Sequence, residues 1–119
     1  MHEMLGIDRA LLIHDIWLDK ILSGKKTWEM RSTKTRIRGK IGLIESGSGL
    51  IVGEAELVDS LDAIPAEHYH QYTAKHWIPR GLPSLCEKYR FPWVLSNARR
   101  YPVPVPYEHP RGAVIWVKL

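Results

Sequence analysis

Four residues within six positions, Lys26, Thr27, Glu29 and Arg31, carry the groups from which a reactive or binding site could be built. Arginine offers a planar fork suited to phosphate or a base carbonyl, while lysine supplies a mobile point charge. A carboxylate cannot bind phosphate, but it accepts hydrogen bonds and protons. Glu29, set between cations, is expected to stay ionised, because nearby positive charge favours the charged carboxylate. It could then receive the exocyclic amino group of a cytosine or adenine, or orient Lys26 and Arg31.

Positioning these groups requires a strand. TWEMR, Thr27 to Arg31, alternates so that Thr27, Glu29 and Arg31 share one face and Trp28 and Met30 the other. Glu29 and Arg31 would then lie about 7 Å apart at roughly 3.3 Å of rise per residue. Upstream, ALLIH (Ala10 to His14) reads as a buried strand. Asp15 is placed to cap a short helix with apolar Trp17, Leu18, Ile21 and Leu22 at helical spacing, and Gly24 to end it. Lys26 therefore falls in the turn that leaves the helix.

Downstream, Lys40 to Glu45 and Leu50 to Val58 predict two strands joined as a hairpin by the SGSG turn at Ser46 to Gly49. Pro65 begins an expected helix through about Lys75, and Pro83 to Tyr89 a second. Trp93 to Leu95 and Ala113 to Leu119 read as strands. Pro102, Pro104 and Pro106 lack amide donors, which confines YPVPVPY to a sheet edge or to a segment lying across the fold. Many short strands with a few small helices predict an α+β architecture dominated by β structure, with residues 1–119 as one domain.

Charge is unevenly spread. Gly24 to Lys40 carries seven Lys or Arg residues against the single acid Glu29, whereas Ile41 to Ala74 carries six acids and no Lys or Arg. Such segregation could give one face a positive potential that attracts polyanions, or could simply be solvated side chains. The N-terminal segment has Asp8, Asp15 and Asp19 and no long apolar run, which argues against a signal peptide or membrane helix. Cys86 is the only cysteine, so no intrachain disulfide or thiolate metal cluster can form, in keeping with a cytoplasmic protein. His68 and His70, at i, i+2 on a helix, do not share a face with each other, and no metal or other cofactor is expected. Cys86 has no histidine near it in sequence with which to form a nucleophilic pair.

The run GKKTWEMRS (Gly24 to Ser32) with Trp17 upstream, the Arg38-Gly39 pair, WVLSNARRYPVPVPY (Trp93 to Tyr107) and GAVIWVKL (Gly112 to Leu119) together resemble the ASCH family of the PUA-like superfamily. The resemblance covers essentially the whole chain. It implies a PUA-like β-barrel of about five to seven strands with two or three short helices. It also implies a nucleic-acid-binding module, with single-stranded RNA the first expectation. Lys26, Glu29 and Arg31 would form its cleft, and Arg36, Arg38, Lys40, Arg99 and Arg100 a cationic track.

RNA is usually read through splayed bases stacked on aromatics, each stack worth about 1–3 kcal/mol. Trp17, Trp28, Trp93, Tyr101 and Tyr107 are the aromatic candidates, with Trp17, Trp28 and Trp116 more suited to the core. A cationic track would make binding weaken steeply with salt.

Three alternatives stay open. One branch of the family is similar to amidohydrolases of N4-acetylcytidine, with a motif like GxKTxTxR. Gly24, Lys26, Thr27 and Arg31 match it, but Glu29 stands where the threonine nucleophile is expected, leaving Thr27 as the nearby hydroxyl. A second branch implies a metal-independent ribonuclease using Lys26 and Glu29. A protein-interaction domain is the third, on the strength of the acidic stretch. In a structural reading, Glu29 and Arg31 are an ion pair that closes the barrel.

Overall fold

The computed structural model describes residues 2–119. Strand β1 (Arg9–Ile13) is apolar at consecutive positions because both of its faces are covered. Leu11 and Ile13 pack with α1 (Asp15–Leu22), while Ala10 and Leu12 join a second cluster with Ile44, Ile51 and Val117. The remaining strands are β2 (Trp28–Arg31), β3 (Gly39–Glu45), β4 (Leu50–Ser60), β5 (Phe91–Pro106) and β6 (Trp116–Lys118). They form one curled six-stranded sheet in the order β2-β5-β4-β3-β1-β6. Only β1 and β3 run parallel; the other pairs are antiparallel. The chain thus has the expected α+β, barrel-like fold.

Helix α1 buries Leu18, Ile21 and Leu22 against the sheet. Its N-cap is His14 rather than Asp15: the His14 ring Nδ1 accepts the Ile16 amide, and Asp15 becomes the first helical residue, where its charge suits the positive end of the helix. Gly24, at φ 83°, lets the chain reverse beyond the last turn. The hairpin between β3 and β4 forms across Ser46–Gly49, as its turn chemistry predicts.

Three elements differ from the expectation. The segment after Pro65 is a 3-10 helix, Ala66–Tyr72, followed by a single turn, α2 (Thr73–His76). It buries little beyond Tyr69 and His76, so no apolar stripe favours a regular α-helix. The last strand is shorter than Ala113 to Leu119. Trp93 to Leu95 is the start of a 16-residue strand that takes in the prolines.

Those prolines are tolerated for a visible reason. β2 covers only Phe91–Val94 of β5, so the Pro-rich half pairs on one side alone and is locally an edge. Pro102 and Pro104 fall in a wide irregularity between the pairs Gly53↔Arg100 and Ile51↔Val105, where no ladder amide is required. A second irregularity is absorbed by Asn97 in the left-handed region, at φ 51°. Gly53 sits at the tightest approach, where a Cβ would collide with the Arg99 carbonyl and with Leu22. α3 (Pro83–Lys88) follows the expected bounds closely. Together with the 3-10 helix and α2 it covers β2, burying Met30, Ile64, Tyr69, Ile78 and Cys86. Among the described residues, no helix is long and apolar enough to cross a membrane.

The two ends of the sheet, β2 and β6, are not hydrogen-bonded neighbours. A side chain spans the gap instead. Arg31 on β2 donates from Nη2 to the Leu12 carbonyl oxygen on β1 at 2.8 Å. The Leu12 amide donates to Ile115, just before β6 begins, so Arg31 takes up the carbonyl that β6 leaves unpaired.

Candidate functional site

A cavity of about 350 Å³ opens where α1, β2, β1 and α3 meet. Its polar wall is Lys26, Glu29 and Arg31; its apolar and aromatic walls include Trp17, Met30, Ile78 and Tyr89, with His14 and Ile16 exposed towards solvent. The volume lies in the ordinary range for small-molecule sites, roughly 300–1,000 Å³.

Glu29 is 5% exposed and stands between two cations, each on its own oxygen. Arg31 donates to Oε2 from Nε at 3.0 Å and from Nη2 at 2.8 Å. Lys26 Nζ lies 3.9 Å from Oε1, an electrostatic contact too long for a hydrogen bond. Oε1 therefore faces the cavity with no hydrogen-bond donor on it among the described residues, and it can accept one from a ligand. The barrel-closing pair and the cleft carboxylate expected from the sequence are thus one arrangement, with different oxygens serving each.

Lys26 is 1% exposed, and its ammonium is held by a backbone oxygen: Nζ donates to the His76 carbonyl at 2.5 Å. Nζ also lies 5.3 Å from the centroid of the Trp17 ring. Burial pushes its pKa down to about 8, partly opposed by Glu29 and reinforced by Arg31. His76 is itself locked. Its Nδ1 accepts the Ile78 amide and its Nε2 donates to the Tyr69 carbonyl, so burial holds it neutral with its pKa lowered. Two further bonds, Thr27 amide to Lys75 carbonyl at 3.1 Å and Trp77 Nε1 to Lys25 carbonyl at 2.9 Å, strap the end of α2 over residues 25–27.

The other expected residues are dispersed. Thr27 does not line the cavity, and Met30, assigned to the opposite face of the strand, does. Trp93 is 3% exposed, stacked on Trp116 at 5.9 Å with Arg31 against its ring, so it is core and offers no open face to a base. Tyr101 is also buried, its hydroxyl donating to Glu54. Tyr107 lies by the Ser46–Gly49 turn, where its hydroxyl meets His109. Trp28 is half-buried, packed against the cluster that holds Met30 and Tyr69 and beside Tyr72. Trp17 is the expected stacking residue that the fold brings to the cavity.

The expected cationic track is largely neutralised. The acidic stretch runs beside the basic one, because β4 pairs antiparallel with β3. Lys40 and Arg99 both reach Glu54, Arg38 faces Asp59, Lys34 bonds Asp62, and Arg100 bonds Asp19 on α1. Arg36 is exposed on the loop and is not paired with an acid among the described residues.

Several site features had no signal in the sequence. The His76 carbonyl that holds Lys26 is a backbone group 50 positions away. Tyr89, a cavity wall, is visible in the sequence only as the boundary of a helix. Folding also brings His70 Nε2 to 3.5 Å from Cys86 Sγ, while burial raises the thiol pKa and so disfavours the thiolate.

A family model described as the ASCH domain matches residues 11–105. No curated protein sequence matches the chain. Among solved structures, the ASCH protein of Zymomonas mobilis is similar at 13% identity and a TM-score of 0.72, over 93% of this chain and 86% of that one. Two variants of that protein give TM-scores of 0.70 and 0.67 at 14% and 15% identity, each covering 93% of this chain and 88% and 87% of theirs. At these identities the likeness concerns the fold.

Proposed function

Since the chain belongs to the ASCH domain family, we propose that it is an RNA-binding module that takes one unpaired base into the cavity beside Lys26, Glu29 and Arg31. The observation that carries this reading is the open Glu29 Oε1, buried in a cavity of about 350 Å³ with an indole on its wall. A buried acceptor with no protein donor suits the amino or imino hydrogens on the Watson–Crick edge of a base. Lys26, beside it, can donate to a base carbonyl. Trp17 supplies the stacking face, and a single-stranded or looped substrate is required because a paired base cannot enter. Because Arg38, Lys40, Arg99 and Arg100 of the expected track are paired with acids, that track contributes less than the sequence suggests and more of the affinity resides in the cavity.

A second reading is favoured by one specific feature. An amine with a pKa near 8, beside a carboxylate in a cleft, has the properties of a general acid–base pair. That suits ribonuclease chemistry by 2′-hydroxyl attack. The amidohydrolase reading is less supported, because the Thr27 hydroxyl is not on the cavity wall.

The test is a titration of short single-stranded RNA, duplex RNA and free nucleosides against wild type, Trp17→Ala and Glu29→Gln, with RNA length followed throughout. Single strands and at least one nucleoside should bind, with duplex excluded. Trp17→Ala should weaken both by about 1–3 kcal/mol, and Glu29→Gln should change which base is preferred. Equal affinity for duplex and single strand, or indifference to both substitutions, would refute the cavity as the base site. RNA shortened by wild type and not by Glu29→Gln would establish the catalytic reading.

A further inference from the structure

Lys20, Lys25 and Lys75 have no acidic partner among the described residues, as is also true of Arg36, Arg80, Lys88, Arg90, Arg111 and Lys118, and in contrast to Lys34, Arg38, Lys40, Arg99 and Arg100. None of the three belongs to the track expected from the sequence. The fold brings the three segments together at a single indole, with the Lys20 ammonium against its ring. Lys20 Nζ lies 4.8 Å from the centroid of the Trp77 ring. Trp77 Nε1 donates to the Lys25 carbonyl, and the Lys75 carbonyl accepts the Thr27 amide two residues further on. Trp77 is 37% exposed, a large ring left partly in solvent with the unpaired Lys20 ammonium against it. Its backbone is also held in the left-handed region, at φ 61°, which a bulky residue adopts only when its surroundings impose it.

This patch adjoins the cavity through shared elements. Lys20 lies one turn beyond Ile16 on the same face of α1, and Ile16 and Trp17 are cavity wall. Lys26 follows Lys25 directly and is bonded to His76, the residue before Trp77, while Ile78 returns to the cavity. A strand with one base in the cavity therefore meets ammonium groups and an aromatic face at its next positions.

We infer that Lys20, Lys25, Lys75 and Trp77 form a second subsite, holding the phosphates and an adjacent stacked base of the single-stranded RNA whose unpaired base occupies the cavity. The inference rests on the RNA reading above. Ammonium groups free of carboxylates are the point charges that displace counterions from a phosphate backbone, and an indole accepts any base.

The experiment compares the salt dependence of single-stranded oligonucleotide binding in three proteins. They are wild type, the triple variant Lys20→Gln/Lys25→Gln/Lys75→Gln, and a control, Lys34→Gln/Arg36→Gln/Arg38→Gln. Glutamine keeps much of each side chain's stem, and free nucleoside binding is measured in parallel as the readout of an intact cavity. Each phosphate contact on a single strand contributes about 0.7 to the slope of log K against log salt. The first triple variant should lose about 2 from that slope and more than tenfold in oligonucleotide affinity at low salt, with nucleoside affinity unchanged. The control should keep the wild-type slope to within about 0.7. An unchanged slope in the first variant, or an equal loss in the control, overturns the subsite. Wild type that binds nucleoside and no oligonucleotide more tightly overturns the subsite alone; wild type that binds neither removes the cavity reading with it.

Discussion

Replacing Lys26 with methionine should change how stability depends on pH, in a direction set by burial. In the folded chain the Lys26 amine has a pKa near 8, against 10.5 when solvated, because burial outweighs the attraction of Glu29. Below pH 8 the amine is protonated in both folded and unfolded chains, so it contributes no slope, and the cost of burying the charge is carried in full. Between about 8 and 10.5 the unfolded chain holds the proton and the folded chain has released it. The unfolded state then binds more protons, so stability rises with pH across this window. Each pH unit is worth about 1.4 kcal/mol, and the whole interval amounts to about 3 kcal/mol. Any other group that titrates in this window does so in Lys26→Met as well and cancels in the difference.

Urea unfolding of both proteins at half-unit steps from pH 7 to 10.5 measures that difference. Wild type should gain on Lys26→Met by about 1–3 kcal/mol as pH rises, with no change below pH 7.5. A flat difference would mean that the amine is not depressed. A falling one would mean that Glu29 and the His76 carbonyl stabilise the ammonium by more than burial costs.

Arg31→Met should cost about 3–5 kcal/mol in the same unfolding assay, because it strands the buried Glu29 carboxylate and opens the link to the Leu12 carbonyl; a loss below about 1 kcal/mol would show that the closure is incidental. Gly53→Ala should lose at least about 2 kcal/mol, since the new methyl meets the backbone of β5 as well as Leu22, and a neutral result would mean that the strands separate freely there.

What was legible in the sequence is what local periodicity encodes. The apolar spacing of α1, the glycine that ends it, the β3–β4 hairpin and the placement of Lys26, Glu29 and Arg31 on one wall follow from residues a few positions apart. Pairings between distant segments were not legible. Pro102, Pro104 and Pro106 mark an edge or crossing segment in the sequence, but that this segment continues the strand begun at Trp93 was not legible, because it depends on β2 stopping at Arg31 and leaving that half of β5 without a second neighbour. The basic stretch of residues 24–40 reads as an exposed surface until β4 brings Glu54 and Asp59 alongside it. Trp93 and Trp17 are both stacking candidates in the sequence, with Trp17 the more suited to the core, and the curl of the sheet reverses that order by burying Trp93 and placing Trp17 on a cavity wall. Lys20, Lys25 and Lys75 are scattered along the chain, so the meeting of their segments at Trp77 left no motif to find.

The pairing of β1 with β6 sets the pace at which the structure can assemble. Arg9 lies opposite Lys118, so this ladder closes a loop of nearly the whole described chain. Closing a loop of about a hundred residues carries an entropy cost on the order of 4 kcal/mol, set by the logarithm of its length. Only a three-residue strand, Trp116–Lys118, is there to offset it. A nucleus is cheaper to build from β3 and β4, which meet across a four-residue turn. Topology therefore places this domain among the slower, non-local folders, with the joining of its two ends as the step in which the most chain freedom is surrendered for the fewest backbone bonds.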